Sequence, residues 1–244
     1  MPRLLVINPN TSTSVTALLQ QHVQMALGQA VDVQSVTARF GAPYISSEAT
    51  YAVANHSVID AWAAAVAKDG CKPDAVLIGC FGDPGLFALR EGAGVPVGGL
   101  AEAAFSAAAW HGRFAIVTGG ERWRPMLSRL AGALGHTQTL AGIHTVAPTG
   151  AQLMADPAGA RQLLVDACCQ AAERFKAQAV ILGGAGLAGI AADIASQVPV
   201  PLIDSVQAGA EWALDALRRK APGSADERFG VAWQNVSWEM TALE

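Results

Sequence analysis

One cysteine, Cys80, stands at the end of an apolar run and is followed at once by Gly82, Asp83, Pro84 and Gly85, within DAVLIGCFGDPGLFALR from Asp74 to Arg90. A thiol can give a proton to carbon and, as a thiolate, take one, so chemistry is sought here first. The apolar residues from Ala75 to Gly79 between turn formers predict a buried strand of a parallel sheet. Asp83-Pro84 predicts a helix N-cap with proline at the first helical position, opening a short helix through Arg90. Cys80 is thereby expected between a strand end and a helix start. Ligands of open α/β sheets bind at such ends, and the free amides of a helix start favour a thiolate. Position alone leaves a second reading open, because free cysteine is also among the most buried residue types.

A second loop carries glycines in a suggestive pattern. Gly184-Ala185-Gly186-Leu187-Ala188-Gly189 follows another apolar run and fits GxGxxG, and Asp204 closes the next strand. That is the arrangement of a dinucleotide site with its ribose-binding acid. One helix and an uncertain strand follow Asp204, too little to complete the sheet of such a domain. Glycines that let the backbone approach a small anion or carbonyl are the preferred reading. The histidines (His22, His56, His111, His136, His144) show no metal spacing and read as surface or packing residues, so no metal is expected.

The elements that must position these loops alternate along the chain. Strands are predicted at Leu4 to Ile7, Val31 to Val36, the run before Cys80, Val95 to Val97, Phe114 to Thr118, Thr139 to Val146, Ala179 to Leu182 and Pro201 to Ile203. Helices are predicted between them: from a Thr11 or Ser12 cap to Leu27, from Ser46 or Ser47 to Lys68 with Gly70 closing, and over Ala101 to Trp110. Further helices are predicted over Trp123 to Leu134, from an Asp156 cap through Pro157 to Phe175, after GGAGLAG to Ser196, and over Ser205 to Lys220. Ala221 to Arg228 reads as a loop and Phe229 to Trp238 as a late edge strand. Strict alternation of this kind means a parallel α/β sheet.

Composition bounds the function. The chain has 244 residues, 52% hydrophobic and 15% charged, with a net charge of −4. No block of like charges offers a nucleic-acid or membrane-binding face. The start, MPRLLVINPN, is too short for a signal peptide, and no apolar run approaches the roughly 18 residues of a bilayer span. Cys71, Cys80, Cys168 and Cys169 have no CxxC spacing, so the thiols are expected reduced and the protein cytoplasmic. A lean charged surface leaves room for a homo-oligomer.

The chain also echoes itself. DAVLIGCFGDPGL resembles QAVILGGAGLAGI, VPVGGLAEAAFSAAAW resembles VPLIDSVQAGAEWALDAL, and LLVINPNTS resembles FAIVTGGER. Two similar α/β halves follow, 1–100 and 101–220, with the 205–220 helix crossing over and 221–244 left as a tail or edge strand. Like halves facing each other would share a cleft for a small ligand. In this alignment Cys80 is matched by Gly184.

The motifs VINPNTS, GCFGDPGL with Arg90-Glu91, the strand end at Thr118 and LGGAGLAG together resemble the hydantoin racemase branch of the aspartate/glutamate racemase superfamily. The resemblance spans residues 3–217 in the right order. It implies two pseudo-symmetric parallel-sheet α/β domains with the active site in the cleft between them. It also implies a cofactor-independent racemase whose two cysteines, one per half, face opposite sides of an acidic carbon. Substrates of the branch are 5-substituted hydantoins, allantoin included, or amino acids.

On that resemblance Cys80 is the first catalytic cysteine, and Gly184 occupies the place of the second. Asn8, Thr11 and Thr118 would hold polar edges of the substrate, or serve as turn and capping residues. Phe40, Pro43 and Tyr44 would line the pocket, or pack the core. Main-chain amides around Phe81-Gly82, Gly119-Gly120 and Ala185-Gly186 are candidates to stabilise an enolate. Cys168 and Cys169 read as helix packing. A lone thiol exchanges a proton on one face without inversion. The alternatives are a single-cysteine decarboxylase of malonate-type acids, although the related arylmalonate decarboxylases carry theirs in the other half, or a non-catalytic ligand-binding relative.

Overall fold

The computed structural model describes residues 1–147, 152, 157–219 and 229–243. Two compact units result: Met1–Gly99 with Ala210–Glu244, and Leu100–Gly209.

The first unit is built on a four-stranded parallel sheet of β1 (Arg3–Asn8), β2 (Asp32–Thr37), β3 (Ala75–Ile78) and β4 (Val97–Gly99), in the order β2-β1-β3-β4. Its central strands are apolar without alternation, and Leu4–Ile7 and Ala75–Ile78 are almost wholly buried. A strand covered on both faces needs such a run. Helix α1 (Thr13–Leu27) begins at Ser12, whose hydroxyl accepts from the Val15 amide. Helix α2 (Glu48–Asp69) begins in a capping box between Ser47 and Thr50 and stops at Gly70, which takes the left-handed conformation at φ 66°. Short α3 (Leu86–Gly92) follows β3.

The second unit repeats the order. Helix α4 (Leu100–Ala109) leads to β5 (Phe114–Gly119), α5 (Trp123–Ala133), β6 (Leu140–Val146), α6 (Pro157–Phe175), β7 (Ala179–Gly183), α7 (Ile190–Ile194) and β8 (Leu202–Asp204), with the sheet running β6-β5-β7-β8. Its core gathers Ala115, Val117, Val180 and Leu182 from the strands and Leu164, Cys168 and Ala171 from α6. Cys168 is thus a packing residue, and burial, with Cys169 beside it, pushes its thiol up to about 12. The exposed-edge thiol of Cys169 reaches the Gln197 carbonyl. Helix α8 (Ser205–Arg219) starts in the second unit and ends in the first.

Two expectations fail. The helix after Cys80 begins at Leu86, not at Asp83-Pro84, because Asp83 itself turns left-handed at φ 49° and Gly85 follows at 77°. The stretch 229–237 forms no strand; it is irregular and ends in the short helix α9 (Trp238–Thr241). The Asp156 cap and the 221–228 loop lie outside the described residues. Among those residues no helix is long and apolar enough to cross a membrane.

The last strand of the first sheet shows how glycine serves the packing. A Cβ placed on Gly98 would run into the indole of Trp212 on α8. Gly98→Val is expected to lower stability by about 1–3 kcal/mol through overpacking, read as a lower Tm in a thermal melt.

Candidate active site

Parallel strands bring the predicted residues of each unit to one end of its sheet. In the first unit, Asn8 ends β1 and Thr11 follows it, Phe40, Pro43 and Tyr44 follow β2, and Cys80, Phe81 and Gly82 follow β3; these strands are neighbours. In the second, Thr118 and Gly119 end β5 while Gly184, Ala185 and Gly186 follow adjacent β7.

Asn8 is wholly buried and serves as the hub of its loop. Its amide group donates to Asn10 Oδ1 (2.9 Å), the Ser12 carbonyl (2.9 Å) and Thr16 Oγ1 (3.0 Å), and its oxygen accepts from the Asn10 amide (3.3 Å). Every donor of that side chain is engaged, so it shapes the loop. The Thr11 amide donates to the Ala42 carbonyl at 3.1 Å, joining this loop to the one after β2. There Phe40 meets the ring of His56 edge-on at 4.9 Å, while Pro43 is exposed and Tyr44 half-buried.

Cys80 sits in a tight turn whose Gly82 and Asp83 amides both donate to its own carbonyl, at 3.0 and 3.1 Å. Helix α2 holds the turn from the side. Tyr51 Oη donates to the Gly82 carbonyl at 2.7 Å, and Asn55 Oδ1 accepts from the Gly85 amide at 2.6 Å. The carboxyl group of Asp83, 2% exposed, abuts the Cα of Gly99, where a Cβ would collide with it. Cys80 is 8% exposed and in no disulfide. Burial, and after it the negative charge of Asp83, push it well above the usual thiol range. Cys80 therefore rests as a neutral thiol, and the expected thiolate is not what this turn favours. The cause is plain: the helix start lies too far along, and the nearby amides serve the backbone.

The second loop is pinned differently. The Gly184 amide donates to Ser205 Oγ at 3.2 Å. One oxygen of Asp204 accepts from the Gly189 amide at 2.8 Å, and the other caps α8 through the Val206 and Gln207 amides at 2.8 and 3.2 Å. Both Asp204 oxygens are held by the main chain, so the ribose-binding role weighed for it is not the one it plays. Thr118 donates to the Gly183 carbonyl at 2.8 Å, tying the ends of β5 and β7 together. Gly184 takes φ 144°, open to glycine and strained for other residues, whereas Cys80 keeps a negative φ. A Cβ there would still find space, its nearest neighbours being Leu187 carbons at 3.7 Å.

Of the amides expected to face an enolate, those of Gly82 and Gly120 are engaged, the latter with the Val146 carbonyl at 2.9 Å. Those of Ala185 and Gly186 open the 3₁₀ turn Ala185–Leu187, whose bonds begin at the Leu187 amide. Tyr51, Asn55 and Ser205 were missed in the sequence. Tyr51 and Asn55 stand one turn apart on an alanine-rich helix, a spacing that could have flagged them.

The sequence matches the Asp/Glu/Hydantoin racemase family over residues 4–213. The chain belongs to that family. It is 32% identical to the hydantoin racemase of Paenarthrobacter aurescens over 212 residues, covering 86% of this chain and 89% of that protein. The solved allantoin racemase of Klebsiella pneumoniae is 29% identical with a TM-score of 0.87, over 100% of this chain and 99% of that one. That of Pseudomonas fluorescens is 27% identical with a TM-score of 0.85, over 91% and 93%.

Asparagine also accepts a left-handed backbone, so Asp83→Asn is expected to fold. In Asp83→Asn the pH profile of Cys80 alkylation by a small reagent is expected to move to lower pH, because a negative charge that disfavours the thiolate is gone. An unmoved profile would remove Asp83 as a cause.

Proposed function

We propose that the protein is a cofactor-independent racemase-type enzyme. It acts at the acidic carbon of a 5-substituted hydantoin, allantoin included, or of a related amino-acid derivative. The observation that carries this reading is Cys80 in a pinned turn at the carboxyl end of β3, in a chain of the hydantoin racemase family. Cys80 exchanges a proton with one face of the carbon. The thiolate takes the C5 proton and becomes the thiol, and the electron pair passes into the ring carbonyl as an enolate. The thiol then returns a proton and regenerates the thiolate. Main-chain amides of the kind that open the Ala185–Leu187 turn are the donors an enolate oxygen requires.

Gly184 has no side chain to serve the opposite face, so exchange outruns inversion. The neutral resting state of Cys80 adds a pH dependence. Since burial and Asp83 favour the protonated form, the active thiolate grows as pH rises.

One enantiomer of a 5-substituted hydantoin in D₂O separates the readings. Loss of the C5 proton signal with optical rotation retained, at a rate rising into the alkaline range, is the expected result. It should vanish in Cys80→Ala. Simultaneous loss of rotation would instead require a second acid. If neither signal changes, racemisation is abandoned, and CO₂ release from malonates tests the decarboxylase reading.

Gly184→Cys is expected to turn exchange into racemisation, with rotation now decaying alongside the proton signal. The strained φ should cost on the order of 1–3 kcal/mol of stability. Exchange unaccompanied by inversion in a folded Gly184→Cys protein would deny that position the role.

A further inference from the structure

The chain after α8 returns to the first unit in an unexpected way. Phe229 lies over Gly92 at the end of α3, where a Cβ would strike its ring, and meets Trp233 edge-on at 6.4 Å. Helix α9 then buries Met240 and Glu239. Glu239 does not face water. Its oxygens accept from Arg39 Nη1 at 2.7 Å and Nη2 at 3.2 Å. The other edge of the same guanidinium grips buried Asp60 of α2 through Nε at 2.8 Å and Nη2 at 2.6 Å. Both carboxyls are held below the usual range. Burial acts to raise Asp60, and its hydrogen bonds to Arg39, with the Ser237 hydroxyl and the positive charge beside it, together outweigh that; Glu239 is lowered chiefly by its bond to Arg39.

Arg39 stands at the base of the loop that carries Phe40, Pro43 and Tyr44. That loop is otherwise tied by the Ala38 amide to the Asn8 carbonyl (2.9 Å), by the Ala42 carbonyl to the Thr11 amide, and by Phe40 against His56. Two buried carboxylates cannot approach each other without the cation between them. Glu239 therefore docks best while Arg39 keeps its present place, and its docking in turn adds a hold on the base of the loop. Such mutual dependence is reciprocal by thermodynamic necessity.

We propose that residues 229–243 form a strap, latched by Glu239 onto Arg39, that fixes the Phe40–Tyr44 loop against the 5-substituent of the substrate. Glu239 and Arg39 are positioning residues for side-chain selectivity. The identity of the ligand rests on the function proposed above; the latch itself does not.

The test compares wild type with Glu239→Gln, which keeps size and loses charge, and Glu239→Asp, which keeps charge. Arg39→Lys, unable to fork between two carboxylates, is the second variant should Glu239→Gln fail to fold. Hydrogen–deuterium exchange across residues 38–45 is expected to quicken about tenfold in Glu239→Gln and less in Glu239→Asp. KM for a hydantoin with a bulky 5-substituent is expected to rise about tenfold with kcat nearly unchanged, and less for a 5-methyl one. Binding of unreactive 5-methyl-5-phenylhydantoin should weaken in parallel. Unchanged exchange at 38–45 overturns the latch whatever the activity. Faster exchange with unchanged KM and unchanged binding overturns the positioning role. Wild type that binds 5-methyl-5-phenylhydantoin yet turns over no hydantoin sinks the proposed reaction alone. Wild type that neither binds nor reacts overturns the positioning role with it, while exchange still decides the latch.

Discussion

A thiol removed from water resists ionisation, and the first unit is arranged around that constraint. Cys80 sits at the end of a strand with no exposed face, and the turn after it is closed by amides that bond the cysteine's own carbonyl. Those bonds give the turn its shape and leave the sulfur without their help. Asp83, forced left-handed and pressed against Gly99, adds a negative charge nearby. Helix α2 then braces the turn through Tyr51 and Asn55. Each contact favours one well-defined position for a neutral group, and position is what a proton-transfer residue needs most.

The two units meet the same topological problem with different side chains. Each must close a glycine-rich loop after its third strand onto the end of its fourth. In the first the acid lies in the loop, Asp83, and glycine lies on the strand, Gly99. In the second the acid lies on the strand, Asp204, and glycine lies in the loop, Gly189. The internal echo of the sequence is therefore real at the level of strand order, yet the pairs that secure it have traded places. Backbone geometry diverges with them: Gly184 occupies a region that the matched Cys80 avoids.

Much of the fold was legible because it depends on local signals. Unbroken apolar runs at Leu4 to Ile7 and Ala179 to Leu182 mark doubly covered strands, and Ser12, Ser47 and Gly70 mark helix ends within a residue or two. The family was legible in its loops. What could not be read were facts set by distant partners. Asp83-Pro84 has the composition of a helix start, but a carboxylate that must lie against Gly99 turns the backbone the other way. Phe229 to Trp238 has the composition of a strand, yet Phe229 is claimed by Gly92 and Glu239 by Arg39, two hundred residues away. The thiolate expected at Cys80 followed from the misplaced helix start, one local error passing into the chemistry.

The direction of proton flow follows from where the charges lie. Arg39 is saturated by Asp60 and Glu239, so its field is spent on the edge of the sheet. The charge that reaches Cys80 is negative. A neutral thiol can give a proton to a carbanion at once, but it must lose one before it can take one. Resting chemistry at this site is therefore loaded toward donation. Abstraction requires that the thiol first be ionised, and the proton it then takes from carbon leaves the charge on the enolate, so the carbon must be acidic enough for that transfer. A carbon flanked by a carbonyl and a ring nitrogen, as in a hydantoin, is acidic enough for that exchange. The Cα of a free amino acid is a weaker carbon acid, which is why the proposed reaction is written on a cyclic derivative.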